Sequence, residues 1–369
     1  MIKRFFFIIV IIITLIFALI YFIKKDKTIE IGFVGGLSGK YSNLGHTTLN
    51  GLILAFEDID YTINGKKIRI DIKDDMQNKK LAKNIINSFI EKKLNLIVGN
   101  TTSTMTKISL LEIPKNSNIF LFSPTASSGE FSKKDDNFFR TQVALSKENF
   151  DKLSNYFLKN KILNLYAIYD EKNSNYANNY MNDFEKSFLS KGGKTFVKRI
   201  KIKKDFRLIA DEIKSDDSID GLFIVANSLD SSRLIQYLKI KDIEKTIFVS
   251  AWAKGAEFLE DGGKAVNNTI FLDSFDENSK NPRYLKFVND YKQKFKIEPT
   301  IFSAQGYETG KIIIEILKKD DNLENFKKTL LEIKKFKSLQ GFITFDQFGD
   351  IHREQNLTIV KDNRFVKIK

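Results

Sequence analysis

The sequence predicts an α/β protein of two similar lobes, each built on a parallel sheet, preceded by an N-terminal membrane helix. Three observations carry this. Residues 29–60 run from an alternating apolar segment (Ile29, Ile31, Phe33) through Gly35-Gly36-Leu37-Ser38-Gly39 into an amphipathic stretch with apolar positions at Leu49, Leu52, Ile53, Ala55, Phe56 and Ile59. That is a strand, a small-residue loop and a helix, the first half of a βαβ unit. The same strand–helix alternation continues downstream, which implies parallel sheets with helices on both faces. After residue 147 the pattern starts again, so a second lobe mirrors the first.

The elements follow in order. The glycine loop sits at the carboxyl end of its strand, where open α/β sheets place ligands, and it reads equally well as a connecting turn. Asn64-Gly65 marks a turn, and residues 67–73 (KIRIDIK) alternate as a strand. Asp74-Asp75 at its end reads as a solvated turn rather than an acid pair, because adjacent strand residues point to opposite faces. Helical spacing covers 79–92, a short apolar strand 95–98, and the hydroxyls of 101–104 suit a helix N-terminus. A strand at 118–122 ends in Ser123-Pro124-Thr125-Ala126-Ser127-Ser128-Gly129. In the second series the strands are 163–169, 195–202, 219–225, 246–249 and 269–272. Its helices are 147–159, 176–191, 205–214 and 230–240. Helices at 282–295, 303–318 and 323–334 follow. Strands at 341–345, 356–360 and 364–368 close the chain.

Composition removes several function classes. With no cysteine there are no disulfides, thiolate metal sites or cysteine nucleophiles. Two histidines, His46 and His352, leave little room for imidazole catalysis or zinc. No P-loop and no GxSxG motif is present. The net charge of +14 comes from scattered lysines, without the clustered stripe and stacking aromatics that nucleic acid needs. Residues 5–23 are uncharged and match the roughly 20 residues that span a bilayer core. No small-residue cleavage site follows them, so a membrane anchor is favoured over a cleaved signal. The lysines on both sides leave orientation open. Either way the bulk of the chain is expected on the periplasmic or extracellular face of the cytoplasmic membrane.

Seven stretches then carry a resemblance: IGFVGGLSGKYSNLG (31–45), IRIDIKDDMQNKKLA (68–82), LIVGNTTST (96–104), FLFSPTASSGEF (120–131), FFRTQVALS (138–146), YDEKNSNYANNYMNDF (169–184) and GFITFDQFGD (341–350). In order and spacing the chain resembles the periplasmic branched-chain amino-acid (Leu/Ile/Val)-binding proteins, the type I solute-binding proteins of ABC transporters. The resemblance implies two Rossmann-like lobes joined by three hinge crossings that close around a solute. Lobe one would comprise 28–141 plus 276–341, and lobe two 142–275 plus 342–369. The implied carboxylate site consists of Ser103, Thr125 and Ser127, hydroxyls that also suit helix caps. Tyr176 matches a covering aromatic, and Phe302 falls near an apolar wall position. Asn227 stands at a second aromatic position of the family. Leu44 stands at an aromatic position near the first loop, where Tyr41 could substitute.

One departure stands out. Where relatives hold the solute's amino group with a carboxylate, this chain has Trp252, its only tryptophan. An amide, a urea-like solute, a carboxylate without an amino group and an aromatic acid are therefore open, with Asp170 or Asp230 as a displaced acid. The expectation is a binding protein without chemistry, cofactor or metal, delivering a small solute to an ABC importer. The competing expectation is a membrane-anchored sensing subunit that reports to a separate partner.

Overall fold

The computed structural model describes residues 28–202 and 205–368. The apolar segment 5–23 lies outside them. Among the described residues no helix is long and apolar enough to cross a membrane.

The first lobe is built on β1 (Thr28–Gly35), β2 (Thr62–Ile63), β3 (Lys66–Asp74), β4 (Leu96–Gly99), β5 (Phe120–Ser123) and β6 (Phe138–Arg140). Their order is β2-β3-β1-β4-β5-β6. Every pairing is parallel except β2 with β3. The central strands β4 and β5 are short and buried throughout, as strands covered on both faces must be. The alternating β3 lies near the edge, where half of it meets solvent. Helices α1 (Ser42–Glu57), α2 (Lys79–Glu91) and α3 (Ser103–Glu112) connect these strands.

The second lobe repeats the scheme with β7 (Leu165–Tyr169), β8 (Lys198–Lys201), β9 (Gly221–Val225), β10 (Thr246–Val249) and β11 (Ile270–Asp273). Its helices are α4 (Asp151–Lys159), α5 (Ser174–Ser190), α6 (Phe206–Lys214), α7 (Ser228–Ile240) and α8 (Ala256–Gly262). The chain then runs through α9 (Pro282–Phe295), α10 (Ile301–Lys319), α11 (Phe326–Ile333) and a hairpin of β12 (Lys335–Ser338) and β13 (Gly341–Thr344). It returns to the second sheet as β14 (Asn356–Lys361) and β15 (Arg364–Lys367), giving the order β15-β14-β11-β10-β9-β7-β8. The chain thus passes between the lobes after β6, after β11 and after β13.

Several local expectations change. The strand expected over 195–202 is confined to Lys198–Lys201, at the sheet edge. The helix expected over 323–334 starts as a 3₁₀ turn, Leu323–Asn325, before α11. β6, β12 and α8 escaped the pattern because three to seven residues are too few for periodicity to register.

Each passage between the lobes is pinned by buried charge. Arg140, at the first, is fully buried. Its Nε donates to Asp350 Oδ1 at 2.7 Å and its Nη1 to the Ser128 carbonyl at 2.8 Å. Lys254 Nζ, also fully buried, lies 2.8 Å from Asp273 at the second. At the third, Glu308 pairs with Arg353 at 2.5 Å and accepts from Leu339 N at 3.0 Å.

α1 and α10 cross through glycines. A Cβ on Gly306 would stand 2.0 Å from the Thr48 carbonyl oxygen, and one on Gly51 2.0 Å from that of Ser303. No side chain fits there without moving a helix. Gly306→Val is expected to lower stability by about 3 kcal/mol, the upper end of ordinary overpacking costs, and urea unfolding measures it. A loss below about 1 kcal/mol would mean the helices separate freely.

Candidate functional site

The carboxyl ends of the parallel strands in the two sheets face each other across the cavity. From the first lobe, β4 delivers Thr101, Thr102 and Ser103, and β5 delivers Thr125 and Ser127. From the second, α5 carries Tyr176, and the turn after β10 carries Trp252. These residues line one cavity of ≈ 30 Å³, with Leu44, Gln142, Asn173 and Phe302 completing its walls. That is room for little more than a water or two, so the two lobes stand close together around the cavity. Six of the anticipated residues therefore meet in one place: Ser103, Thr125, Ser127, Tyr176, Trp252 and Phe302. Gln142 and Asn173 were not anticipated. Both lie inside the quoted motifs, but nothing in their spacing distinguishes them from ordinary loop polars.

The hydroxyls are not equivalent. Thr125 Oγ1 donates to the Thr101 carbonyl at 2.7 Å, and Thr102 Oγ1 donates to Gln77 Oε1 at 2.9 Å. Their protons are committed within the protein. Ser103 Oγ instead accepts from Ser128 N–H at 3.2 Å, which leaves its own proton to give. Ser103 also opens α3, whose N-terminus brings a partial positive charge to the cavity, while its Thr104 N–H is already taken by Asn173 Oδ1 at 3.2 Å. Burial pushes the Tyr176 hydroxyl well above its usual pKa, so it stays a neutral donor. Among the described residues no aspartate or glutamate lines the cavity.

The acids lie just outside, and they are already engaged. Asp170 follows β7 and is buried. It accepts from Tyr41 OH at 2.7 Å and Asn227 Nδ2 at 3.3 Å, and Lys40 Nζ stands 3.1 Å away. Lys40 also pairs with Asp230 at 2.6 Å. Burial pulls the Lys40 ammonium down, but the two carboxylates more than offset this and hold it above its usual pKa. Tyr41 and Asn227, both anticipated as ligand contacts, are therefore not cavity walls. Asn227 caps α7 by accepting from Asp230 N at 3.0 Å. The Tyr41 ring lies 5.9 Å from that of Trp252 and nearly parallel to it, at 6°. Because Lys40 and Tyr41 belong to the first lobe and their acids to the second, the cluster latches the lobes together. Asn43 adds a cross-lobe bond to Glu257 at 3.0 Å. Lys40→Ala is expected to loosen the latch. Solute affinity should fall roughly two- to fivefold, as for a half-exposed ion pair, and small-angle scattering should show a larger radius of gyration. An unchanged scattering curve would remove Lys40 from closure.

The glycine loop and the acid pair after β3 serve each other. Asp74 accepts from Leu37 N at 2.7 Å, so the loop's amide is taken. Burial raises the Asp74 pKa, but hydrogen bonds from Ser38, Leu37 and Met76 outweigh it and hold the carboxyl below its usual value. Asp75 is not solvated, contrary to the sequence expectation. It is buried and accepts from Gln77 N at 2.8 Å and Asn100 Nδ2 at 2.9 Å. Together the two carboxylates tie the loop after β1 to the loop after β4.

A family model described as periplasmic binding protein matches residues 28–363. The leucine-binding protein LivK of Thermotoga maritima superposes with a TM-score of 0.81 at 19% identity, covering 92% of this chain and 98% of that one. A solute-binding protein of an ABC transporter from R. palustris, solved with benzoate, gives 0.84 at 18% identity, covering 92% and 95%. The branched-chain amino-acid transporter substrate-binding protein LivJ of Streptococcus pneumoniae, solved with isoleucine, gives 0.79 at 22% identity, covering 93% and 100%. At these identities the superpositions speak for the fold, and the family model spans nearly the whole described chain. On both counts this chain belongs to the periplasmic binding proteins, with the two-lobed type I fold.

Proposed function

We propose that the protein captures a small carboxylate that carries an aromatic or aliphatic body and no ammonium group, and delivers it to an ABC importer. One observation carries this reading: hydroxyls, side-chain amides and aromatic rings line the cavity, with no carboxylate among them to receive an ammonium group. A carboxylate is well served by neutral donors in a dry cleft. An ammonium group would be buried there without a partner, at a cost of several kcal/mol. The solved neighbours span both chemistries, since LivJ was solved with isoleucine and the R. palustris protein with benzoate. Trp252 and the engagement of Asp170 with Tyr41, Asn227 and Lys40 support the second chemistry for this chain.

Capture is a hinge motion. The lobes, 28–141 plus 276–341 and 142–275 plus 342–369, part to admit the solute and close on it. Residues 5–23 would tether the protein to the outer face of the cytoplasmic membrane beside its permease.

A thermal-shift series with the purified full chain tests the reading, because a ligand that binds only the folded state raises the melting temperature. Benzoate, hydroxybenzoates and short-chain acids should raise it. Isoleucine, leucine and benzamide should not. Stabilisation by isoleucine with no response to any acid would overturn the proposal.

A further inference from the structure

Two side-chain amides line the solute cavity, Asn173 from lobe two and Gln142 from the first passage between the lobes. Both are held in the same way. Asn173 Oδ1 accepts from the Thr104 N–H of lobe one at 3.2 Å, and Gln142 Oε1 accepts from the Val143 N–H at 2.9 Å. An amide accepts through its oxygen alone, so these bonds fix which end of each group is which. The oxygens are spent on the backbone, and the NH2 ends remain as donors.

Among the described residues neither NH2 has a hydrogen-bond partner. Neither is sealed away, since the unpaired side-chain atoms that are fully enclosed belong to other residues. Asn173 is only 3% exposed as a residue, and the cavity is the open space it borders. Its place is unusual. Asn173 stands just before α5, yet its side chain makes no bond to that helix and crosses the cleft to the second residue of α3. The bond from Asn175 N–H to Thr104 Oγ1, at 3.2 Å, holds the two helix starts together. Asn173 thus takes one N–H from the anion-favouring end of α3 and offers an NH2 in exchange. Ser103, the residue before Thr104, has its own proton free.

We infer that Asn173 is the specificity-determining residue of the cleft, donating to the solute's carboxylate from lobe two while Ser103 donates from lobe one. One atom sets the class of solute. An NH2 at this point serves an anion, and an oxygen there would serve an ammonium group. The carboxylate is held by both lobes at once, which ties capture to closure. This rests on the carboxylate reading above and names the residue behind it.

The test is calorimetric titration of the full chain and two variants with benzoate and with isoleucine. Asn173→Asp keeps an acceptor for the Thr104 N–H and exchanges only the NH2 for oxygen. It should lose benzoate by more than about tenfold and should bind isoleucine, which the wild type should not. Asn173→Leu has neither donor nor charge. It should weaken benzoate by about ten- to hundredfold, the worth of a hydrogen bond to a charged group, and bind no isoleucine. A residue that merely held the lobes together would weaken binding without exchanging one solute for the other. Benzoate binding by Asn173→Asp within about threefold of the wild type, or no binding of isoleucine by that variant, overturns the inference and leaves the carboxylate reading in place. Should Asn173→Asp fail to fold, Asn173→Leu decides, and benzoate affinity within about threefold of the wild type overturns the inference. A wild type that binds isoleucine and not benzoate overturns the carboxylate reading and this inference together.

Discussion

Arg140→Ala is expected to cost about 3–5 kcal/mol of stability, the largest single-residue loss anticipated here. The side chain is fully buried in the last residue of β6, where the chain first leaves lobe one. It holds Asp350 through Nε at 2.7 Å and Nη2 at 2.6 Å, and Ser132 Oγ and the Ser128 carbonyl as well. Alanine would leave the Asp350 carboxylate largely buried, with the backbone N–H of Lys133 as its remaining donor. The penalty is that uncompensated charge more than the lost attraction. Replacing both partners, Arg140→Met with Asp350→Leu, should therefore recover a good part of the loss. Urea unfolding of the two variants measures both effects. A single-mutant loss under about 1 kcal/mol, or a double mutant worse than the single, would show that the pair does not hold the passage.

The second large effect concerns binding. Ser103→Ala combined with Ser127→Ala should weaken solute affinity by about 1–3 kcal/mol, because two neutral donors to a buried anion are removed. The Ser103 proton is not spent within the protein, whereas that of Thr125 is. Thr125→Val should accordingly have less effect on affinity than Ser103→Ala. Titration with benzoate separates these outcomes, provided it is run well below the melting temperature. Ser103→Ala also strips Ser128 N–H of its acceptor, and the melting curve reports that separately. Affinity unchanged in the double variant, with the fold intact, would remove the carboxylate from this end of the cleft.

The order of elements and the pairing of two α/β series were legible in the chain because local periodicity reports burial directly. Strands β4 and β9 read as short apolar runs, and each is buried throughout. The hydroxyl-rich loops after β4 and β5 were legible by residue type, whereas the choice of Ser103, Thr125 and Ser127 within them came from the family resemblance. What the patterns missed is of another kind. Lys40 reads as one surface lysine among many, yet it stands between Asp170 and Asp230 of the opposite lobe, more than a hundred residues away in sequence. Asn227 has the residue type of a helix cap, and its bond to Asp170 depends on the neighbouring strand.

The sequence by itself determined the fold class, the lack of cysteine and of a Walker motif, and the hydroxyl loops. These are properties of residue type and of short-range spacing. Only the tertiary structure decided which groups remain free to act. It committed the protons of Thr125 and Thr102, turned Tyr41 away to Asp170, and left the Tyr180 hydroxyl without a partner. Hydrogen-bond satisfaction depends on distances of about 3 Å between distant parts of the chain, and no local pattern encodes it.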